Sequence, residues 1–199
     1  INLSLAFEVL DYALLSAPGA PLKQALLDAK IGKDIYGSFE DGIKQTYFSI
    51  VAKGANLSRK EEFIKVIRDT LTKIAEEGID KKAVTAGINY YEFRFREADF
   101  SSYPKGLMYG LDILSSWLYD DTKPFCEVQL LEGFEFLKKA LEEGYFEELI
   151  RKYLLDNTHG AILSLVPEKG LAAKRDKELE EKLENYRKSL SDEELTRMV

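Results

Sequence analysis

The stretch SAPGAPLKQALLDAKIGKDIYG, residues 16–37, constrains this chain more than any other part of it. Pro18 and Gly19 end the helix before them, because proline lacks the N–H that a continuing helix needs and glycine turns freely. Pro21 suits the first turn of a new helix, where a missing N–H is harmless, and Leu22, Ala25, Leu26 and Ala29 form its inner face. Gly32 closes that helix, and Asp34 to Phe39 reads as a strand. Helix, reversal, helix and strand must therefore follow one another with almost no spare chain.

Apolar spacing organises the remainder. Leu3, Ala6, Phe7, Leu10, Leu14 and Leu15 predict a helix ahead of the break. Thr46 to Lys53 alternates Phe48, Ile50 and Ala52 with Tyr47, Ser49 and Val51, and pairs with 34–39 as a hairpin turning near Asp41 and Gly42. Ser58 with Glu61 has the form of a capping box, after which Phe63, Ile64, Ile67, Leu71 and Ile74 line one helical face up to Gly78. Asp80 can cap a helix with Val84, Ile88, Tyr91 and Phe95 inside. Leu107, Leu111, Leu114 and Leu118 predict another core-facing helix, Leu130 to Leu141 a fifth long one, and Leu149 to Leu154 a short sixth. HGAILSLVP, His159 to Pro167, reads as a buried strand closed by proline. Beyond it the chain becomes dense in charge, with Leu179, Leu183, Tyr186 and Leu190 at heptad-like spacing and a second capping box at Ser191 and Glu194. The expected organisation is an α+β domain over 1–167, helices packed on one face of a mostly antiparallel sheet, with 168–199 opening a charged helical hairpin linker.

The composition excludes several functions. A net charge of -7, with Lys and Arg interleaved among acids, lacks the basic stripe of a nucleic-acid binder. No apolar run reaches the ~18 residues of a membrane span. The single cysteine, Cys126, rules out an internal disulfide and reads as a small buried apolar residue. His159 is the only histidine, so neither H-E-x-x-H nor H-x-x-E-H can be written, and it reads as a structural residue of the last strand. No phosphate-binding glycine loop is present. The acid pairs at Glu61, Glu76, Glu142, Glu147 and Glu180 are spaced as solvated helix faces, and YYEFRFRE, residues 90–97, reads as aromatic core flanked by Arg94 and Arg96. The chain has the chemistry of a binding or structural piece. It opens on Ile1 rather than Met, which reads as a start inside a longer protein.

Three strings, LLSAPGAPLKQALLDAKIG, AVTAGINYYEFRFRE and DNTHGAILSLVPEKG, together resemble a noncatalytic domain of the pitrilysin/insulinase superfamily of zinc metallopeptidases, on its presequence protease branch. The tail with LSDEEL resembles the opening of the helical hairpin that joins the two halves of such enzymes. The resemblance implies an α/β domain in the wall of a peptide-degrading chamber. It implies no cofactor in this chain and zinc in the parent's catalytic domain. The implied partners are the parent's other domains and an oligopeptide substrate, with neither nucleic acid nor membrane. The implied compartment is the bacterial cytoplasm, or the mitochondrial matrix in a eukaryote. Family domains carry one or more strands before the helix at Leu3. Their lack here means either that the sequence is part of a longer chain or that an exposed sheet edge needs a partner strand. In insulinase-like relatives the strand after the short helix pairs with bound peptide. That strand falls on Ile35, Tyr36, Gly37 and Ser38, and Gly37 would let a second backbone approach closely. The competing readings are a freestanding α/β interaction module with a helical docking tail and, more remotely, a hydrolase using exposed carboxylates.

Overall fold

The computed structural model describes residues 2–98 and 100–198 and divides into two compact units, 1–160 and 161–199. The first unit is built around α1 (Asn2–Asp11), which runs without a break into a π-helical turn at Tyr12–Ser16. This segment buries Leu5, Ala6, Phe7, Val9 and Leu10, then Ala13, Leu14 and Leu15. A helix apolar on more than one side belongs in the middle of a core, and this one is packed by neighbours on several sides. Leu3, expected inside, stands 39% exposed at its outer end.

The break at Pro18 and Gly19 turns the chain into α2 (Pro21–Asp28), with proline in its first turn and Leu22 and Leu26 fully buried. Two antiparallel strands follow, β1 (Asp34–Glu40) and β2 (Tyr47–Lys53), with Gly37 opposite Ile50 and Ser38 opposite Ser49. Alternation puts Ile35, Phe39, Phe48, Ile50 and Ala52 on the core side. Tyr36, Tyr47 and Val51 face outward. The α+β class holds, with helices against one face of a sheet that consists, among the described residues, of this hairpin.

Four longer helices complete the unit: α3 (Lys60–Glu77), α4 (Lys81–Glu97), α5 (Lys105–Trp117) and α6 (Leu131–Ala140). After them α7 (Tyr145–Leu149) passes into a second π-helical turn, Ile150–Leu155. Leu71, Ile74, Val84, Ile88, Phe134, Leu137 and Phe146 meet the α1 segment in one apolar cluster. Asp80 caps α4 as expected, accepting from the N–H groups of Lys82 and Ala83. The start of α3 differs from expectation. The side chain of Asn56 accepts from both the N–H and the hydroxyl of Ser58, so asparagine caps a short 3-10 turn, Leu57–Arg59, that leads into the helix. Arg59 locks this corner by donating to the carbonyls of Ala29 and Lys30 at the open end of α2 and pairing with Glu62.

Two expectations fail on burial. The leucine stripe of α5 lies outside the core: Leu107, Leu111, Leu114 and Leu118 are 53, 51, 43 and 72% exposed. The helix packs chiefly against the 3-10 turn at Cys126–Val128, and among the described residues the stripe stays largely exposed. Residues 159–167 form neither a strand nor a buried segment, and Leu163 and Leu165 are 84 and 89% exposed. A strand exists only by pairing with another, and no described segment pairs with this one. The second unit holds α8 (Leu171–Ser189) and α9 (Asp192–Met198), joined by the expected Ser191–Glu194 capping box. Leu179, Leu183 and Tyr186 form an exposed seam along α8.

Candidate functional site

β1 is the element to which the family resemblance assigned peptide contact, and the side chains behind it are now visible. Ile35 is fully buried and anchors the strand, whereas Tyr36 projects outward. Gly37 faces the core. A Cβ there would collide with the Ser49 carbonyl and the Leu15 side chain, and would press on the Asp11 carboxylate. The missing side chain thus makes room for the π-helical turn against the hairpin. Ser38 and Ser49 bring their hydroxyls to 3.1 Å across the strands. Phe39 stacks on Phe7 at 5.3 Å between ring centroids, and Phe48 and Tyr153 close around the same ring. The inner face of β1 is held rigidly. Its outer edge carries no third strand among the described residues.

Past the end of β1 the chain reaches Asp41, which lines a cavity of about 200 Å³ together with Glu8, Asp112, Glu127, Tyr91 and Arg94. Burial pushes the Glu8 carboxyl up to about 7, with Asp41 and Glu127 adding repulsion and Arg94 opposing it. Burial also raises Asp11, against a hydrogen bond from Ser16, and one oxygen of Asp11 is buried without a partner among the described residues. Arg94, which also lines the cavity, sits over the Tyr90 ring at 5.6 Å. Sequence reasoning missed Glu8 and Asp11. The signal was available, since they are the acids of a segment that is otherwise apolar on most of its surface.

The other candidates resolve one by one. His159 is exposed, donating its N–H to Asn157 and lying 3.5 Å from the Gln45 amide, so it is no core histidine. Cys126 is half-buried. In 90–97 the helical reading holds: Tyr91 and Phe95 pack on the core, and Arg96 pairs with Glu92 at 2.6 Å. Glu147 departs from the solvated pattern of the other acid pairs. One of its oxygens accepts from the Ile79 N–H at 2.9 Å, and the other is buried without a partner among the described residues. Arg151 donates to the Ala75 carbonyl beside it, so both side chains fasten the end of α3. Among the described residues no group of three His, Cys, Asp or Glu could hold a metal ion, and these residues do not fit a zinc site. No described helix is long and apolar enough to cross a membrane.

Comparison with known proteins places this architecture among peptidase-related domains. Residues 2–91, a little under half of the chain, match the Peptidase M16 inactive domain. The similarity runs to presequence proteases. The chain is 33% identical over its whole length to presequence protease 1, chloroplastic/mitochondrial, of Arabidopsis thaliana. It is 28% identical over 95% of its length to the mitochondrial presequence protease of Xenopus laevis. It is also 45% identical over 98% of its length to Protein HypA of Clostridium perfringens. The chain spans about a fifth of each relative, 20% for HypA and 19% for the two presequence proteases. The inactive peptidase domain of a candidate zinc protease from Bordetella parapertussis shares the fold, with a TM-score of 0.55 at 12% identity over 73% of this chain and 77% of that one.

Proposed function

We propose that this chain is a noncatalytic domain of a zinc-dependent, oligopeptide-degrading metalloendopeptidase. In this reading it forms part of the chamber wall and anchors peptide along the β1 edge at Ile35, Tyr36, Gly37 and Ser38. The observation that carries the reading is whole-length similarity to one fifth of presequence proteases, joined to the inactive-domain match. Zinc and the general base belong to another domain of the parent; the sequence carries no H-x-x-E-H, and no described group of donors makes a metal site. The parent's compartment is the cytoplasm in a bacterium and the mitochondrial matrix in a eukaryote.

The anchoring mechanism is strand addition. An extended peptide exchanges main-chain hydrogen bonds with the free edge, so affinity depends on peptide length more than on sequence. Tyr36 stands exposed beside that edge and adds a side-chain contact. Substituting Gly37 would test packing against Leu15 rather than peptide binding, so the backbone of the substrate is the better probe. Long peptides N-methylated at alternate residues of their N-terminal segment should show a several-fold higher KM with the full-length enzyme than their unmethylated forms. Tyr36→Ala should likewise raise KM for long peptides and leave kcat/KM for short ones unchanged. Equal losses for long and short peptides would remove the anchoring role.

A further inference from the structure

Helix α5 half-buries a mixed side, Met108, Tyr109 and Ile113 together with Asp112 and Ser115, and turns its leucine side out. Asp112 and Ser115 line the cavity beside Glu8, whereas Leu107, Leu111, Leu114, Trp117 and Leu118 face solvent. At about 100° per residue, these apolar positions and Gly106 and Gly110 occupy one continuous face of roughly 140°. No charged residue falls on it. Neither glycine is required by this chain: a Cβ at Gly106 or Gly110 meets nothing within 4 Å, and neither has positive φ. Glycine weakens an exposed helix relative to alanine, so two of them four residues apart on an apolar face point to a neighbour that excludes side chains there.

We propose that this α5 face docks a helix from another domain of the parent polypeptide, packed close to the backbone at Gly106 and Gly110. The inference rests on the reading above that the chain is one domain of a longer peptidase. The occupant follows from three observations. The leucine face lacks charge, so it suits an apolar partner rather than a charged peptide. The small-residue notch fits the cylinder of a helix. Relatives about five times as long as the segment they share with this chain contain several further domains' worth of sequence able to supply one.

Carbene footprinting of the full-length protein without peptide, read residue by residue by mass spectrometry, tests the proposal. Leu111, Leu114 and Trp117 should be labelled several-fold less than Leu57, an exposed leucine away from this face. Labelling equal to that of Leu57 overturns the proposal. Protection seen only at concentrations where the protein dimerises assigns the face to a second copy, and protection that needs added peptide assigns it to substrate; either result also overturns it. Gly110→Leu supplies an independent sign. A covered face lowers the thermal midpoint of the full-length protein, whereas a free face leaves it unchanged or raises it, because leucine is the better helix former. If the full-length protein has the mass of this chain alone, the reading as a peptidase domain fails. A longer protein with α5 labelled fails only the docking proposal.

Discussion

Glu8 shows how one residue couples the core to pH. Its carboxyl rises from 4.5 to about 7 mainly because it is buried, with Asp41 and Glu127 nearby. The folded chain therefore holds a proton that the unfolded chain releases. By linkage, this contribution to stability is complete below pH about 4.5 and is lost as pH rises through about 7. Glu8→Gln keeps the shape and removes the charge. Urea denaturation should show the variant stabilised at pH 8 by on the order of 2–3 kcal/mol, with little difference at pH 4. A constant gap between variant and wild type at both pH values would mean that Glu8 does not titrate in this range. Neither Glu8 nor Gly37 discloses its role in the sequence. An acid in an apolar helix and a glycine in a strand are visible, but only packing shows that one lies in a cavity and the other under Leu15.

At the scale of elements, local chemistry predicts well wherever it is self-contained. The Pro18–Gly19 break, the proline start of α2, the hairpin and the Asp80 cap all occur where their residues place them. The start of α3 shows the limit, because two capping groups compete within three residues and Asn56 prevails by accepting twice from Ser58. Asn56→Ala should cost about 1 kcal/mol of stability and Ser58→Ala less, as judged by denaturation midpoints. The reverse order would restore the Ser58–Glu61 box. HGAILSLVP is the clearest misreading at this scale. Its apolar run suits a buried strand, yet a strand needs hydrogen-bonding partners from elsewhere, and none of the described residues supplies them.

For the molecule as a whole, the weight of the core lies on the α1 segment, around which the hairpin, α3, α4, α6 and α7 gather. Leu10→Ala, at a fully buried position, should cost the 199-residue chain about 2–5 kcal/mol, whereas Leu114→Ala on the outer face of α5 should stay within about 0.5 kcal/mol. Comparable losses at both would show that α5 is covered within this chain. The sequence by itself determined where most of the helices lie, which of their faces are apolar, and that no zinc motif could be assembled, because those properties depend on spacing and residue type along one segment. Tertiary structure alone decided which apolar faces are used. The stripes of α4 and α5 obey the same periodicity, but among the described residues that of α4 joins the core and that of α5 stays exposed. Burial is a relation between segments, and periodicity describes only one.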